Sequence, residues 1–290
     1  MDRYRFIFEH RTLWRVEEMC RVLEVSRSGF YAWKKRRPSP RQQETQRLDG
    51  AIKRLYQASR GRSGSPKITR ALWAEGWKVR ENRVAKRMTA MGLRSIVHRR
   101  FRGTTQSKHA FPIAPNRLGR RFQVDAPNRV WVSDITYIRL QQGWVYLAVF
   151  IDLFSRQVVG WALARYLDHG LVLKALDRAR QHRQPDQGLM IHSDRGVQYA
   201  CTGFRHYLQR YGFVQSMSRK ANCWDNAVAE SFFHLLKTEL IHHYTWYGYR
   251  DVYAALFEYI ELFYNRERTH STLGYLSPVH FEQLALQKAA

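Results

Sequence analysis

Cysteine is scarce. The 290 residues hold three, Cys20, Cys201 and Cys223, an odd number spread along the chain with no C-x-x-C pair. This excludes a disulfide framework and a zinc knuckle, and predicts a reducing, intracellular setting. Long apolar runs are also missing, and the opening MDRYRFIFEHRTLW is too charged for a signal peptide, so a soluble protein is expected, with no membrane partner. Acids are few: 24 Asp+Glu stand against 49 Lys+Arg, a formal net charge of +25. What the chain does have is 44% apolar residues, enough at this length for about two domains with cores that need no covalent staples.

The charge is unevenly placed. Residues 1–127 carry 31 Lys+Arg and 10 Asp+Glu, net +21, whereas 128–290 carry 18 and 14, net +4. So one-sided a charge repels itself unless an anion binds it. With no basic amphipathic helix beside a large apolar face, nucleic acid is the expected partner rather than a membrane.

The basic half reads as helices. In TLWRVEEMCRVLEVSRSGFYAWKKRR, Val16, Met19, Cys20 and Leu23 share a face, a turn falls at Glu24-Val25, and Ser26 can cap a second helix packed back through Phe30 and Trp33. This is helix-turn-helix grammar over 1–40, with Arg27 and Ser28 placed to reach a major groove; an ordinary helical hairpin has the same spacing. Residues 41–60 read as a connecting helix. A second pair spans 61–95, with Ser65 as cap, Pro66 in the first turn, Ile68, Ala71 and Leu72 inward, then Val84, Met88 and Met91 on one face and Arg83, Lys86 and Arg87 on others. GRSGSPK is not a P-loop, because Pro66 replaces its second glycine and Ile68 its Ser/Thr. Residues 96–127 read as a basic linker suited to tracking phosphates, Arg99 and Arg100 among its cations.

Beyond Pro127 the grammar changes. RVWVSDITYI (129–138), WVYLAVFI (144–151) and RQVVGWAL (156–163) read as antiparallel strands. GLMIH (188–192) and FVQSM (213–217) then alternate with helices near 167–182 and 201–211. Two amphipathic helices follow, NAVAESFFHLLK (226–237) and 251–264. The sum is an α/β fold: a five-stranded mixed sheet with flanking helices. This α/β unit is expected to span 128–282, with 283–290 as a tail.

Asp134 interrupts the most β-prone run of the chain, where an unpaired acid is costly. Asp194 falls just past the fourth strand, which the order places beside the first, at the kind of strand end where open α/β sheets bind ligands. The helix carrying Val228, Phe232, Leu235 and Leu236 inward turns Glu230 elsewhere, toward the two aspartates. Three converging carboxylates need a cation, and hard oxygen donors suit Mg²⁺ or Mn²⁺. Two ions about 4 Å apart clamp an in-line phosphodiester displacement. Each acid also has a plainer reading: Asp194 can start a turn, and Glu230 can be a solvated helix residue. Asp152 competes with the three but reads as a turn-former, and Asp225 is placed to cap the Glu230 helix. His192, Ser193 and Asp194 are adjacent in sequence, which is not how a Ser/His/Asp triad is assembled.

The stretches WVSDITYI, FIDLFSRQVVGWAL, IHSDRGVQYA, SMSRKANCWDNAVAESFFHLLKTEL and YNRERTHSTLGYLSPVHFE closely resemble the retroviral-integrase-type transposases of bacterial insertion sequences, specifically the OrfB product of elements with two overlapping frames. Asp194 and Glu230, with 35 residues between them, match that family's D,D(35)E signature, and Lys237 its basic residue seven positions later. MCRVLEVSRSGFYAW and SRGRSGSPKITRAL also look like its N-terminal segment, so the resemblance spans nearly the whole chain.

The resemblance implies an RNase H-like core, a catalytic triad of Asp134, Asp194 and Glu230, and two Mg²⁺ ions. It also implies hydrolysis at the element's 3′ ends, then attack by the freed 3′-hydroxyl on another phosphodiester, without a covalent protein–DNA intermediate. Its expected partners are terminal inverted repeats and target DNA, a further copy of the chain in a homo-oligomer, and an upstream OrfA portion. The expected place is the bacterial cytoplasm, on the nucleoid. Departures are Ala221, where the family more often has glycine, and the absence of a zinc-binding His/Cys domain. Lys237, two helical turns past Glu230, is placed to touch a phosphate next to the one cut, and Asn226 to orient DNA or water. Arg195, Arg219, Lys220, Arg266 and Arg268 are expected along the DNA path. The rival readings are an RNase H-like nuclease or resolvase that cleaves without joining, and a non-catalytic DNA-binding regulator.

Overall fold

The computed structural model describes residues 3–35, 38–96, 111–220 and 222–289. Arg99, Arg100 and Ala221 lie outside the described residues.

Two small helical units come first. Helices α1 (Arg3–His10), α2 (Val16–Val22) and α3 (Arg27–Lys35) bury Ile7, Met19, Cys20 and Phe30 against one another. Ser26 caps α3 as expected, its Oγ accepting from Gly29 N at 3.0 Å, and Glu24 makes the turn at φ 53°. Helix α1 escaped the sequence reading because its charges mask the Tyr4/Ile7/Phe8 spacing that packs on Phe30 and Trp33.

The second unit is α4 (Pro40–Ala58), α5 (Ser65–Ala74) and α6 (Glu81–Ala90). Here the expected connecting helix needs correction. Leu48, Ala51 and Ile52 of α4 are buried with Ile68, Leu72, Val84 and Met88, so α4 is one wall of a three-helix unit. Its start is a capping box between Ser39 and Gln42. Ser65 is not a cap either; Gly64 holds that position and Ser65 lies inside α5.

The core follows as β1 (Val130–Arg139), β2 (Trp144–Asp152), β3 (Val158–Ala164), α7 (His169–Arg183), β4 (Met190–Ser193), α8 (Val197–Ala200), α9 (Thr202–Arg210) and β5 (Val214–Met217). The chain ends with α10 (Ala227–Glu239), α11 (Tyr249–Phe257), which continues as a π-helix over Glu258–Glu267, and α12 (Pro278–Ala289). The sheet runs β3-β2-β1-β4-β5, the first three strands antiparallel and β4 and β5 parallel to β1. This is the expected mixed α/β sheet, RNase H-like in its order.

Alternation along β1 and β2 separates two cores. Val130, Val132, Leu147, Val149 and Ile151 face α10 and α11, while Trp131, Ala148 and Phe150 face α7 and α9. At Gly160 of β3 a Cβ would lie 2.5 Å from Ala175 O, so only glycine lets α7 approach that closely. Asn265 of the π-helix bonds both the N–H and the C=O of Val158, closing part of the β3 edge.

Two boundaries shift. Of the expected linker 96–127, the described part is docked on the core: Leu118 is buried, and the Arg117 and Leu118 amides donate to Ser216 Oγ. The expected tail 283–290 is, through Ala289, the end of α12, whose Glu282 accepts from Arg183.

The second helical unit rests on the π-helix and on the far end of α10. Arg60 pairs with Glu258, and the Arg62 guanidinium lies 4.2 Å over Phe263 with its Nε 3.4 Å from Glu239 O. Glu239 itself is buried, accepting from Tyr259 Oη at 2.8 Å and from Arg268 through both Nε and Nη2. Arg268 was expected along the DNA path. It is instead 8% exposed and committed to Glu239, because a guanidinium inside a core needs a carboxylate beside it. Glu239→Ala leaves that guanidinium buried and unpaired, so a loss of about 3–5 kcal/mol in unfolding free energy is expected, checked by denaturant melts.

Candidate active site

The parallel pairing of β1 with β4 runs Val130↔Met190, Trp131↔Ile191, Val132↔His192, a constant offset of sixty residues. Two positions further along, the same offset sets Asp134 beside Asp194, where β4 has just ended. Asp134 shares the strand face of Val130 and Val132, which is the face that α10 covers with Phe232 and Leu236. Glu230, in the first turn of α10, therefore stands on the same side of the sheet as Asp134.

All three acids are half-buried. Asp134 Oδ1 accepts from Ile135 N at 2.8 Å and Asp194 Oδ1 from Gly196 N at 2.9 Å. Burial first, then the charge of Asp194 and, more weakly, that of Glu230, raises the Asp134 carboxyl well above its usual range; the Ile135 amide and Lys237 oppose the rise. Burial and Asp194 also raise Glu230. The acids thus sit within one another's electrostatic reach. Among the described residues no three His, Cys, Asp or Glu side chains form a group that could hold an ion, so gathering this trio on a cation requires the side chains to close up. The donor set itself, carboxylate oxygens short of positive charge, fits a hard divalent cation.

The start of α10 is fastened to the strand that carries Asp134. Asn226, buried, donates from Nδ2 to Ser133 O at 3.0 Å, while its Oδ1 is buried without a partner. That amide is engaged with β1, not turned out toward DNA. Asp225 does not cap α10, as the sequence suggested; α10 has no side-chain cap there. Its carboxylate is buried and accepts from Arg219 Nε and Nη2, Arg219 N, Arg120 Nε and Asn116 Nδ2, and the Arg219 guanidinium leads the causes that hold its pKa far below the usual range. Nothing in the sequence spacing marked Arg120 or Asn116, since both come from the segment read as a linker.

The other expected residues divide. Asp152 is a buried turn-former, accepting from the Asn128 and Phe154 amides and from Trp131 Nε1. Lys237 Nζ lies 5.3 Å from the Tyr137 ring centroid, and its charge is felt at Asp134. Arg195 Nε donates to Ser218 O, and Arg219 is held by Asp225. Lys220 and Arg266 are exposed. In the helical units, Arg27 lies 3.7 Å from Glu17, Ser28 Oγ is 3.5 Å from Ser26 Oγ, and Arg83 and Arg87 pair with Glu44 and Asp49 of α4. Exposed Lys86 joins Arg80, Asn82, Arg83 and Arg87 around a basic concavity on α6.

With this geometry in place, comparison with known proteins gives the class. The family described as "Integrase core domain" matches residues 124–223, and a second of that description matches 230–286. An "HTH-like domain" matches 43–101, which agrees with α4 belonging to the second helical unit. Transposase InsF for insertion sequence IS3A of Escherichia coli (strain K12) is 40% identical over 282 residues, 97% of this chain and 98% of its own. The 31 kDa protein of insertion element IS600 from Shigella sonnei is 41% identical over 272 residues, covering 94% and 100%. A solved simian T-cell lymphotropic virus intasome aligns with 80% of this chain and 74% of its own at 16% identity and a TM-score of 0.48. The chain is an integrase-core protein with an HTH-like domain. It belongs to the family of IS3-type insertion-sequence transposases.

Two expectations follow from the electrostatics. Relief of carboxylate repulsion predicts that Glu230→Gln, in EDTA at neutral pH, keeps or raises the melting temperature by up to a few degrees; a large drop in a thermal melt would make Glu230 a structural residue. His192 is buried between Ser216 Oγ (2.9 Å) and Ser218 Oγ (3.2 Å), and burial lowers its pKa to about 4. The folded state then binds fewer protons than the unfolded one between about pH 6.5 and 4, so this group makes stability fall as pH drops through that window. Melting curves of His192→Gln should be flatter there than those of the parent.

Proposed function

We propose that this chain is the DNA-cutting and DNA-joining enzyme of its element, with Asp134, Asp194 and Glu230 holding two Mg²⁺ or Mn²⁺ ions. The reading is supported by one observation: the β1–β4 register runs to Val132↔His192, two residues short of Asp134 and Asp194, and the charges of both Asp194 and Glu230 act on Asp134. When bound, the ions supply charge stabilisation for the attacking and leaving oxygens of an in-line displacement. The chain's own part is positioning. Lys237 contacts a phosphate beside the scissile one, and the basic helical units hold the terminal inverted repeats through phosphate contacts and groove contacts. Water attacks first and releases a 3′-hydroxyl, which then attacks target DNA, so no side chain serves as a covalent carrier. Further copies of the chain, and an OrfA portion, complete the assembly that pairs two ends.

Oligonucleotide duplexes carrying the element's terminal repeat test this. Nicked and joined products are expected with Mg²⁺ and neither with EDTA. Glu230→Gln should lower both by at least about a hundredfold while leaving DNA binding intact. Cleavage without joining would support the nuclease reading, and undiminished activity of Glu230→Gln would remove the carboxylates from the chemistry.

A further inference from the structure

We propose that the hydroxyl pair of Tyr199 and Ser133 is a strut that sets the spacing of Asp134, Asp194 and Glu230 for a divalent cation; this rests on the metal-binding reading above. Tyr199 Oη and Ser133 Oγ lie 2.8 Å apart, and both residues are buried. Ser133 is the node. Its peptide bond leads directly to Asp134, its carbonyl accepts from Asn226 Nδ2 at the start of the Glu230 helix, and its hydroxyl meets Tyr199 from the segment that carries Asp194. That segment is closed on itself: Gly196 N donates to Asp194 Oδ1 at 2.9 Å, and Tyr199 N donates to Gly196 O at 3.0 Å. All three acid-bearing elements therefore meet at one residue.

The strut stands where the ladder has stopped. β1 and β4 are paired as far as Val132↔His192, one residue short of Ser133. Beyond that point β1 stays paired to β2, with Asp134 opposite Val149, and β4 to β5, with Ser193 opposite Met217. Strand ends that carry like charges and share no further register tend to splay, and the charge of Asp194 acts on Asp134 in that sense. The hydroxyl pair closes the gap from the other face of the sheet, where alternation turns Ser133 away from Asp134. Tyr199 is fixed from two more sides: Gln215 Nε2 of β5 donates to its carbonyl at 2.7 Å, and Phe204 packs edge-to-face at 5.5 Å. Burial first, then the charges of Asp134 and Asp194, hold the phenol well above its usual range, so it stays protonated and the pair keeps its hydrogen bond.

Any buried tyrosine needs a partner for its hydroxyl, and that need alone explains a hydrogen bond. It does not explain a polar pair in this cluster. Trp131, Phe204 and Met217 line it, and phenylalanine with alanine would fill the two positions with no polar atom to satisfy. What the hydroxyls add is a fixed distance between the turn that carries Asp194 and the strand that carries Asp134. Tyr199 is thus a positioning residue that acts through Ser133.

The test reads metal binding by the full chain rather than turnover. Mn²⁺ is titrated into the protein, alone and with a terminal-repeat duplex, and followed by electron paramagnetic resonance; the sites counted are those that Asp134→Asn abolishes. Tyr199→Phe and Ser133→Ala should each weaken those sites about tenfold. The double variant decides. With both hydroxyls gone none is left stranded, so its metal-free melting temperature should return to within a few degrees of the parent, whereas its Mn²⁺ affinity should stay about tenfold low. Affinity that recovers with stability in the double variant, or stays within about twofold of the parent in all three, overturns the strut and leaves the metal reading standing. If the double variant does not melt cooperatively, Tyr199→Phe measured well below its own melting temperature carries the same expectation. Absence of any Mn²⁺ site that depends on Asp134 overturns the metal reading and the strut with it.

Discussion

Three carboxylates kept at one end of a sheet repel one another, and the packing around α10 answers that repulsion. Glu230 can stay near Asp134 and Asp194 only if its helix cannot retreat. Its middle is fixed by apolar burial of Phe232 and Leu236 against β1 and β2. Its first residues are fixed by Asn226 on Ser133 O and by the Asp225 carboxylate gripping Arg219 and Arg120. Its last residue, Glu239, is fixed by Arg268 and Tyr259. Polar contacts hold both ends and apolar contacts the centre, so the site is strained electrostatically but held mechanically.

The far end of that helix, together with the π-helix beside it, joins the two halves of the chain. The second helical unit, with 13 Lys+Arg against 4 Asp+Glu over residues 40–90, meets the core through Arg60 on Glu258 and Arg62 on Phe263 and the Glu239 carbonyl. Lys67 of α5 lies close enough to this cluster for Arg268 to add to the effect of burial, which lowers its pKa to about 8. A displacement of the second helical unit is therefore felt first at the end of α10 remote from Glu230. If that unit holds DNA as proposed, α10 is the continuous element between it and the carboxylates.

Much of this was legible because it is periodic. Strand alternation separated the two faces of β1 and β2, helical spacing oriented α10, and a helix set between short strands implied that β4 lies beside β1. What escaped depends on contacts between distant residues. Nothing local distinguishes Arg268, which is buried, from Arg266, which is exposed; the difference is that Glu239 lies opposite one of them. Asp225 looked like a helix cap because caps are local, whereas its partners Arg120 and Asn116 come from more than a hundred residues upstream. Polar, proline-rich 111–127 looked like a tether because its one deeply buried side chain, Leu118, carries no pattern.

The two polar clamps on α10 are physically unequal. Arg268 and Glu239 are both nearly sealed from water, so their attraction is little screened and breaking it strands a charge. Around Asp225 only the carboxylate is sealed; the side chains of Arg219 and Arg120 are 54% and 45% exposed, so salt and solvent weaken that grip. The end of α10 that carries Glu230 is thus the softer one. On the proposed reading, in which the three acids draw closer around a cation, that asymmetry leaves the far end of α10 anchored and the turn that carries Glu230 the less tightly held.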